Sequence, residues 1–181
     1  LINENGSIDW CCLPEFDSPS VFAKILDDTK GGGFWINTRN EFQTKQNYLG
    51  DSCILITTFE NQKEAFEVID FMPRFQTEKG QYYAPPELIR FVKPIKGNPE
   101  IQIQYDPRLE YAQGKTQHHA KNNAIVSEVN TPIHDSLFLY TNTHKQSVLE
   151  NEFITLKDPL FFNISYNEKL TIPTFSKCFL D

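Results

Sequence analysis

Apolar and polar residues alternate in short runs along most of this chain. Ile101, Ile103 and Tyr105 alternate with Gln102 and Gln104, a period of two that is typical of a strand with one solvated face. Similar runs predict strands at 34–36, 42–49, 53–60, 65–71, 88–95, 100–105, 124–129, 137–140, 147–149, 153–156 and 161–166. Turn residues at 61–64 and 96–99 separate neighbouring runs, and 77–86 is predicted to be a longer loop.

The N-terminal residues follow a different pattern. Residues 1–3 and 7–10 flank an Asn5-Gly6 pair, which readily adopts the positive φ of a tight turn, so a β-hairpin is predicted there. Asp17 offers a capping oxygen shortly before Pro19, and apolar residues then recur at helical spacing. We therefore predict one short helix over about residues 19–27, ended by a glycine turn at 31–33.

These elements predict an all-β fold. Many strands without intervening helices favour antiparallel pairing, and about a dozen strands favour two packed sheets over a small barrel. The expected architecture is a large antiparallel two-sheet β-sandwich, of the supersandwich kind, with one short helix near the N-terminus. The 181 residues suit a single domain with a sizeable core.

Charge and hydropathy exclude two classes of partner. A formal net charge of −7 without a basic cluster opposes binding to nucleic acid, which requires Lys and Arg against phosphates. No apolar run approaches the roughly 20 residues that cross a bilayer, so no membrane association is expected. Without a signal segment, we expect a cytoplasmic protein, and the start at Leu1 suggests an internal piece of a longer product.

Cysteine and histidine spacing does not indicate a metal site or a cofactor. The chain contains four cysteines, at 11, 12, 53 and 178, and four histidines, at 118, 119, 134 and 144. Neither a C-x-x-C nor an H-E-x-x-H pattern occurs. We expect buried, reduced thiols and a solvated turn within 113–123, which contains His118 and His119.

Carboxylates and aromatic rings leave several interpretations open. Asp9 and Asp17, beside Trp10 and Phe16, are the best candidate pair for glycoside hydrolysis, although a capping role explains Asp17 as well. Glu64, Glu67 and Asp70 are expected on a solvated edge. A sugar-stacking platform and a buried core both explain the remaining aromatic candidates, which are Trp35, Tyr82 and Tyr83.

Four segments together resemble one known family. "GSIDWCCLPEFDSPSVFAKILDD", at residues 6–28, is similar to the G-S-I-D-W-x-C-x-P-R-F-D-S-P-S-x-F-A-x-L-L-D segment of bacterial and archaeal glycoside hydrolase family 15, the glucoamylase and trehalase group. "NYLGDSCILITTF", "EVIDFMPRF" and "ELIRFVKPIKGNPEIQIQYDPRLEYA" resemble its later segments in the same order, up to about residue 111.

The resemblance implies a fold and a role. It implies that the chain is the N-terminal β-sandwich domain of an inverting α-glucosidase, glucoamylase or trehalase, without catalytic residues of its own. The partner would be the enzyme's own C-terminal (α/α)6 barrel, and the substrate an α-glucoside such as trehalose. Trp10, Glu15, Phe16 and Asp17 are then expected at the edge of the substrate cleft or against the barrel.

Two departures and two alternatives accompany this interpretation. Glu15 stands where the family usually has arginine, and Cys12 follows Cys11 where one cysteine is typical. A free-standing carbohydrate-binding module and a structural sandwich for protein interaction are the alternatives. Without its barrel, the domain is expected to expose an apolar docking face and to self-associate weakly.

Overall fold

A computed structural model describes residues 1–76, 78–129 and 135–167 of the chain. In this part the chain forms fifteen strands, one short α-helix and one 3-10 turn. The strands are β1 Cys11–Cys12, β2 Ser20–Phe22, β3 Gly33–Thr38, β4 Gln43–Tyr48, β5 Leu55–Glu60, β6 Ala65–Phe71, β7 Phe75–Gln76, β8 Tyr82–Tyr83, β9 Glu87–Lys96, β10 Glu100–Asp106, β11 Thr116–Lys121, β12 Ala124–Val129, β13 Ser136–Thr141, β14 Phe153–Thr155 and β15 Leu160–Tyr166. The helix, α1, spans Lys145–Leu149, and the 3-10 turn spans Glu110–Ala112.

Two antiparallel sheets form the body of the fold, as predicted. The large sheet has eight strands in the order β11-β12-β13-β15-β9-β6-β5-β4, and the small sheet has three in the order β14-β10-β3. Two further pairs, β1 with β2 and β7 with β8, stand apart from these sheets. The chain therefore belongs to the antiparallel sandwich class, with sheets of unequal size.

The core lies between the two sheets. From β10, Ile101 and Ile103 point into it and are almost fully buried, which agrees with the period-two pattern of that segment. From the large sheet, Phe66, Val92 and Phe162 belong to the same cluster and have no exposed surface. Burying one such side chain contributes about 1.5–3 kcal/mol, so this layer is the main source of stability.

The middle of the large sheet is apolar on both faces. Ile89, Phe91 and Phe161 form a second buried cluster outside the sandwich core, and Ile69 and Phe71 pack against it. Strands β9 and β15 are consequently buried on both sides over most of their length. This explains why their sequences are nearly continuous apolar runs instead of alternating ones.

The N-terminal hairpin is confirmed and extends the small layer. Ile2 and Ile8 form an antiparallel bridge around a turn in which Gly6 has a φ of 72°. Ile8 also bridges Phe34 of β3, so the hairpin continues the small sheet beyond its edge strand. A glycine turn follows β2 as predicted, with the Gly31 amide bonded to the Asp27 carbonyl at 2.8 Å.

The helix expected over 19–27 is wrong. Ser20, Val21 and Phe22 form strand β2, where all three are buried, and only a short turn follows. The backbone of this segment is satisfied by tertiary partners, since the Val21 carbonyl accepts a hydrogen bond from Arg108 at 2.8 Å. Burial of a β-branched residue between neighbouring segments has overridden a local helical spacing.

Two expectations for the second half are also wrong. The strand expected at 147–149 is part of α1, of which Val148 packs into the core while the rest of the turn is more exposed. The segment 113–123, expected to be a solvated turn, contains β11, an edge strand of the large sheet. Its polar composition fits an edge position, where one side of the strand faces solvent.

Candidate functional site

The four residues predicted to make contacts lie on one exposed loop. We define the contact loop as residues 10–19, which join the N-terminal hairpin to β2 through the short strand β1. Glu15, Phe16 and Asp17 are exposed, with Phe16 at 91%, while Trp10 is half-buried. Phe16 thus leaves a large apolar ring in water beside two charged side chains, and we take this tip as the candidate contact surface.

Backbone and side-chain bonds shape the tip of the contact loop. The Ser18 amide donates to the Glu15 carbonyl at 3.2 Å, and the Glu15 amide donates to the Ser18 hydroxyl at 3.1 Å. These reciprocal bonds close a turn with Phe16 and Asp17 at its apex. No helix follows for Asp17 to cap, and Ser18 closes the loop that presents Phe16.

The base of the contact loop is fixed on both sides. Cys11 pairs with Phe22 and Cys12 with Ser20, with an irregular register between the two cysteines. Leu13, just inside the loop, is 1% exposed and belongs to the core cluster. The exposed tip is therefore carried on a well-packed base, which limits the positions it can adopt.

Asp9 and Asp17 do not form the catalytic pair considered from the sequence. The Asp9 carboxylate accepts a hydrogen bond from the Asn3 amide at 2.8 Å and another from the Ser7 hydroxyl, so it serves the hairpin. Asp17 is exposed, and its charge acts on Cys12. Burial raises the pKa of Cys12 and the Asp17 carboxylate adds to this, while a hydrogen bond from Trp10 opposes both.

Neighbouring segments add apolar surface beside the contact loop. The Leu1 amine donates to the Trp10 carbonyl at 2.6 Å, and the Ile25 amide donates to the Asp9 carbonyl at 3.1 Å. Leu1, Ile25 and Leu26 are 73%, 58% and 72% exposed. Both Ile25 and Leu26 fall in the segment predicted to be a helix over about residues 19–27, so their exposure in a turn was not predicted.

Two of the other aromatic rings considered for sugar stacking, Trp35 and Tyr82, each have a cation over one face. The Lys24 ammonium lies 4.7 Å from the Trp35 ring centre, and the Arg74 guanidinium lies 5.6 Å from that of Tyr82. The side chain of Tyr83 lies outside the described part of the structure. One face of each described ring is thus used within the chain, which weakens the case for a sugar platform.

The acidic residues of β6 do not lie on a solvated edge, and this expectation is wrong. Strand β6 is flanked by β5 and β9, and Asp70 is 3% exposed. Arg90 of β9, which is fully buried, donates to both Asp70 oxygens, at 2.8 and 3.0 Å. No local sequence pattern predicts this pair, because only the register between β6 and β9 brings the two residues together.

A serine, a histidine and an aspartate do come together beside β10, but not as a hydrolytic triad. His118 Nδ1 lies 2.9 Å from the Ser127 hydroxyl, and His118 Nε2 lies 3.7 Å from Asp106 Oδ1. Ser127 has no exposed surface, so its hydroxyl has no access to a substrate. Although burial opposes it, hydrogen bonds from His118 and Arg108 hold the pKa of Asp106 below its usual value.

The cysteines differ in exposure more than expected. Cys11 is buried, Cys12 is half-buried and Cys53 is exposed, and all three are free thiols. The expectation of uniformly buried thiols is therefore wrong for Cys53, while Cys178 and His134 lie outside the described residues. Within 1–76, 78–129 and 135–167, no cluster of His, Cys, Asp and Glu is suited to hold a metal ion, and no helix is long and apolar enough to cross a membrane.

A strained turn lies at the end of β10. Glu110, Tyr111 and Ala112 all have positive φ, at 54°, 53° and 58°, and Tyr111 is 49% exposed. Left-handed backbone costs about 1–2 kcal/mol per residue outside glycine, so the surrounding structure must hold the turn in place. With no glycine, asparagine or aspartate in it, the turn had no sequence signal.

Comparison with known proteins gives a consistent result. A family model described as trehalase-like, N-terminal, matches residues 1–141. The trehalase of Thermoplasma acidophilum is 39% identical over 115 residues, covering 62% of this chain and 19% of that protein. The trehalase of Mycobacterium tuberculosis is 28% identical over 163 residues, covering 78% of this chain and 23% of that protein. No solved structure gives a significant match.

The chain thus spans about a fifth of the length of the curated relatives, at 19% and 18% of the two Thermoplasma trehalases. The matched region runs from residue 1 to the end of β13, so it includes the hairpin, the contact loop and every strand of both sheets except β14 and β15. Because this match covers more than half of its residues, the chain belongs to the trehalase-like N-terminal domain family.

Proposed function

We propose that this chain is the N-terminal, non-catalytic domain of a trehalase-like glycoside hydrolase. The observation that carries the proposal is the family match over residues 1–141 combined with a chain about a fifth as long as the trehalases it resembles. In this proposal an (α/α)6 barrel, C-terminal to the sandwich, hydrolyses trehalose or a related α-glucoside with inversion. The sandwich supports that barrel and borders its substrate cleft.

Two carboxylates of the described residues already have structural partners within the domain, which agrees with a non-catalytic role. Glycoside hydrolysis needs one carboxyl group as acid and a second as base or nucleophile, both facing the sugar. Asp9 is used by the hairpin, and Asp70 is buried against Arg90. In this proposal the two catalytic carboxyl groups belong to the barrel, and the sandwich contributes surface.

The contact loop is the part of the domain proposed to meet the barrel. Phe16 presents an apolar ring, with Glu15 and Asp17 as charged neighbours. An apolar centre flanked by polar residues is the usual composition of an interface between domains. Ile25 and Leu26 are also exposed, and the Ile25 amide bonds to the Asp9 carbonyl next to the start of the contact loop, so an interface that includes them would remove further apolar side chains from water.

The direct test is hydrolysis by the parent enzyme. The coding sequence that continues this chain is expressed in full, and glucose release from trehalose and from maltose is measured beside the 181-residue chain. We expect the full-length protein to hydrolyse trehalose, with release of β-glucose as the inverting product, and the 181-residue chain to be inactive. Trehalose hydrolysis by the short chain, or its absence from the full-length protein, would contradict the proposal.

A second test addresses the contact loop. Phe16→Ser in the full-length enzyme is compared with Tyr48→Ser, which removes an aromatic ring that is 65% exposed on edge strand β4. We expect the Phe16 variant to raise KM or lower the unfolding temperature of the barrel, and the Tyr48 variant to do neither. Equal behaviour of the two variants would remove the contact loop from the proposed interface.

A carbohydrate-binding module is the outcome that would replace this proposal. In that case titration of the 181-residue chain with malto-oligosaccharide would change its tryptophan fluorescence and saturate. We expect no saturable change, since Lys24 already covers one face of Trp35. The same preparation tests the expected weak self-association, by sedimentation at increasing concentration.

A further inference from the structure

Arg90 uses its guanidinium group to join four separate segments. Nε and one terminal nitrogen donate to Asp70 of β6, at 2.8 and 3.0 Å. The same terminal nitrogen donates to the Gly6 carbonyl at 2.7 Å, and the other donates to the Phe34 carbonyl at 2.7 Å. Arg90 itself belongs to β9, so one side chain connects the centre of the large sheet to β3 and to the N-terminal hairpin.

The two backbone acceptors lie where the hairpin meets the small sheet. The Phe34 carbonyl also accepts the Ile8 amide, at 2.9 Å, so Arg90 reinforces the bridge that attaches the hairpin to β3. Gly6 lies beside the large sheet, since a Cβ there would be in van der Waals contact, at 3.4 Å, with the side chains of Phe59 and Thr57 of β5. The hairpin is therefore held against the large sheet at Gly6 and against the small sheet at Ile8.

A short segment held by hydrogen bonds connects Gly6 to the contact loop. Only three residues separate Gly6 from Trp10, and Asp9 among them is held by Asn3 and Ser7. Trp10 is in turn bonded through its carbonyl to the Leu1 amine. Because this connecting segment is short and held by hydrogen bonds, a displacement of Gly6 would also displace the start of the contact loop.

The burial of the Arg90–Asp70 pair indicates that its role is to position neighbouring segments more than to stabilise the fold. Arg90 and Asp70 have side-chain exposures of 0% and 2%, and a fully desolvated ion pair often contributes no more than well-packed apolar residues of the same volume. Hydrogen bonds from a planar guanidinium to two carbonyls, however, fix direction as well as distance. Apolar replacements would fill the space but would not orient Gly6 and Phe34.

We propose that Arg90 is a positioning residue, which fixes the N-terminal hairpin and through it the contact loop. The Asp70 carboxylate orients the guanidinium group, which donates hydrogen bonds to the carbonyls of Gly6 and Phe34. What the contact loop meets rests on the function proposed above, but its anchoring by Arg90 is a property of this chain alone.

Two variants distinguish a positioning role of Arg90 from a contribution to the stability of the fold. Both are made in a Trp35→Phe background, in which Trp10 is the remaining tryptophan and Lys24 keeps an aromatic ring to cover. Arg90→Met with Asp70→Leu replaces the ion pair by apolar residues. Asp70→Asn keeps an oxygen acceptor and leaves the arginine donors to Gly6 and Phe34 in place.

The two variants are expected to behave in opposite ways. In the double variant the urea midpoint stays near that of the background protein, while acrylamide quenching of Trp10 rises about twofold because the loop opens locally. In Asp70→Asn the midpoint falls, while quenching of Trp10 stays unchanged. A folded double variant with unchanged quenching would overturn the proposal, and so would Asp70→Asn with raised quenching in the folded state.

A measurement on the unmodified chain covers the case in which the double variant does not fold. Amide hydrogen exchange is followed for Ile8 and Phe34, which bond to each other, and for Val92 on central strand β9. Anchoring predicts that all three amides exchange at comparable rates. Exchange of Ile8 and Phe34 about a hundredfold faster than Val92 would show local opening of the hairpin and overturn the proposal. Neither experiment depends on trehalose hydrolysis, so failure of the anchor and failure of the proposed function are distinguishable.

Discussion

Asp70 and Arg90 are directly paired in the register between β6 and β9, and their side chains meet at 2.8 Å inside the core. Each comes from a different segment of the family resemblance, Asp70 from "EVIDFMPRF" and Arg90 from "ELIRFVKPIK". The two segments are thus joined by one buried interaction, which connects the middle of the large sheet to the hairpin.

Removal of one partner is expected to be costly. Asp70→Ala leaves the Arg90 guanidinium buried without its counter-charge, for which we expect a loss of about 3–5 kcal/mol in the free energy of unfolding, measured with urea. Glu67→Ala on the same strand is the control, because this residue is partly exposed and should change stability by less than about 0.5 kcal/mol. Equal losses for the two variants would show that the buried pair has no special role.

A stacked aromatic pair between β6 and the neighbouring strand β5 belongs to the core. Phe66 is fully buried and stacks on Phe59 at a ring distance of 4.5 Å, with Phe42 edge-on at 5.4 Å. Phe66→Ala should cost about 3–5 kcal/mol, because the cavity left between these rings cannot close completely.

The control for this core variant is Phe16→Ala, which removes the same ring from a position that is 91% exposed. It should change the free energy of unfolding of the isolated chain by less than about 0.5 kcal/mol. A comparable loss for Phe16→Ala would mean that the ring already packs against something in the isolated chain, contrary to its exposure.

The sequence predicted most of the strands because their pattern depends on local burial. β6 and β12 fall at the predicted bounds, and β10 differs by one residue. The errors occur where contacts between distant segments decide the structure. β2 forms a strand since it pairs with β1, whereas its sequence has helical spacing, and β11 pairs with β12 despite its polar sequence.

The site was predicted less completely, and for a similar reason. The resemblance brought Trp10, Glu15, Phe16 and Asp17 together on one loop, which the structure describes as exposed apart from half-buried Trp10. It gave no indication of Arg90 or of the exposed Ile25 and Leu26. The contacts of Arg90 follow from strand register, and the exposure of Ile25 and Leu26 follows from a turn in place of the predicted helix. No local sequence pattern predicts either feature.

Glycine is required at one turn and only preferred at another. Gly32 has a φ of 64°, and a Cβ there would lie 2.1 Å from the Asp106 carbonyl. Gly50 has a φ of 52° with no atom within 4 Å of that position. Gly50→Ala should therefore cost about 1 kcal/mol from backbone strain alone.

Gly32→Ala must in addition displace backbone, and we expect it to cost at least about 2 kcal/mol more than Gly50→Ala or to prevent folding. Thermal unfolding of both variants, followed by circular dichroism, provides the comparison. Closely similar unfolding temperatures would contradict the close approach of Gly32 to Asp106.

The three described thiols should react in order of exposure. Burial raises the pKa of Cys11 to about 11, so very little of the reactive thiolate is present near neutral pH. Cys53 is exposed and should react first with a thiol reagent, followed by half-buried Cys12, and Cys11 should react only on unfolding. Labelling for increasing times, with the modified residues identified by mass spectrometry, checks this order, and early labelling of Cys11 would contradict its burial.

Acid should weaken the domain partly through Asp106. Hydrogen bonds from His118 and Arg108 hold its pKa below the usual value in the folded state, against the effect of burial. A carboxyl group with a depressed folded pKa contributes stability above its unfolded pKa, near 3.9, and loses that contribution as the pH falls through the folded value. Because Asp106 is partly exposed, we expect a contribution of about 1 kcal/mol or less.

Asp106→Asn removes this contribution and should therefore change the shape of the pH profile. At about pH 5.5 the variant should be less stable than the unmodified chain, and the difference should shrink as the pH falls below the unfolded pKa of Asp and through the lower folded pKa of Asp106. Urea unfolding across that range gives the two profiles, with Asp51→Asn, an exposed turn position, as the matched control that should follow the unmodified chain throughout. If the difference between the Asp106 variant and the unmodified chain stays constant down to the lowest pH, the hydrogen bonds to His118 and Arg108 do not stabilise the charged carboxylate.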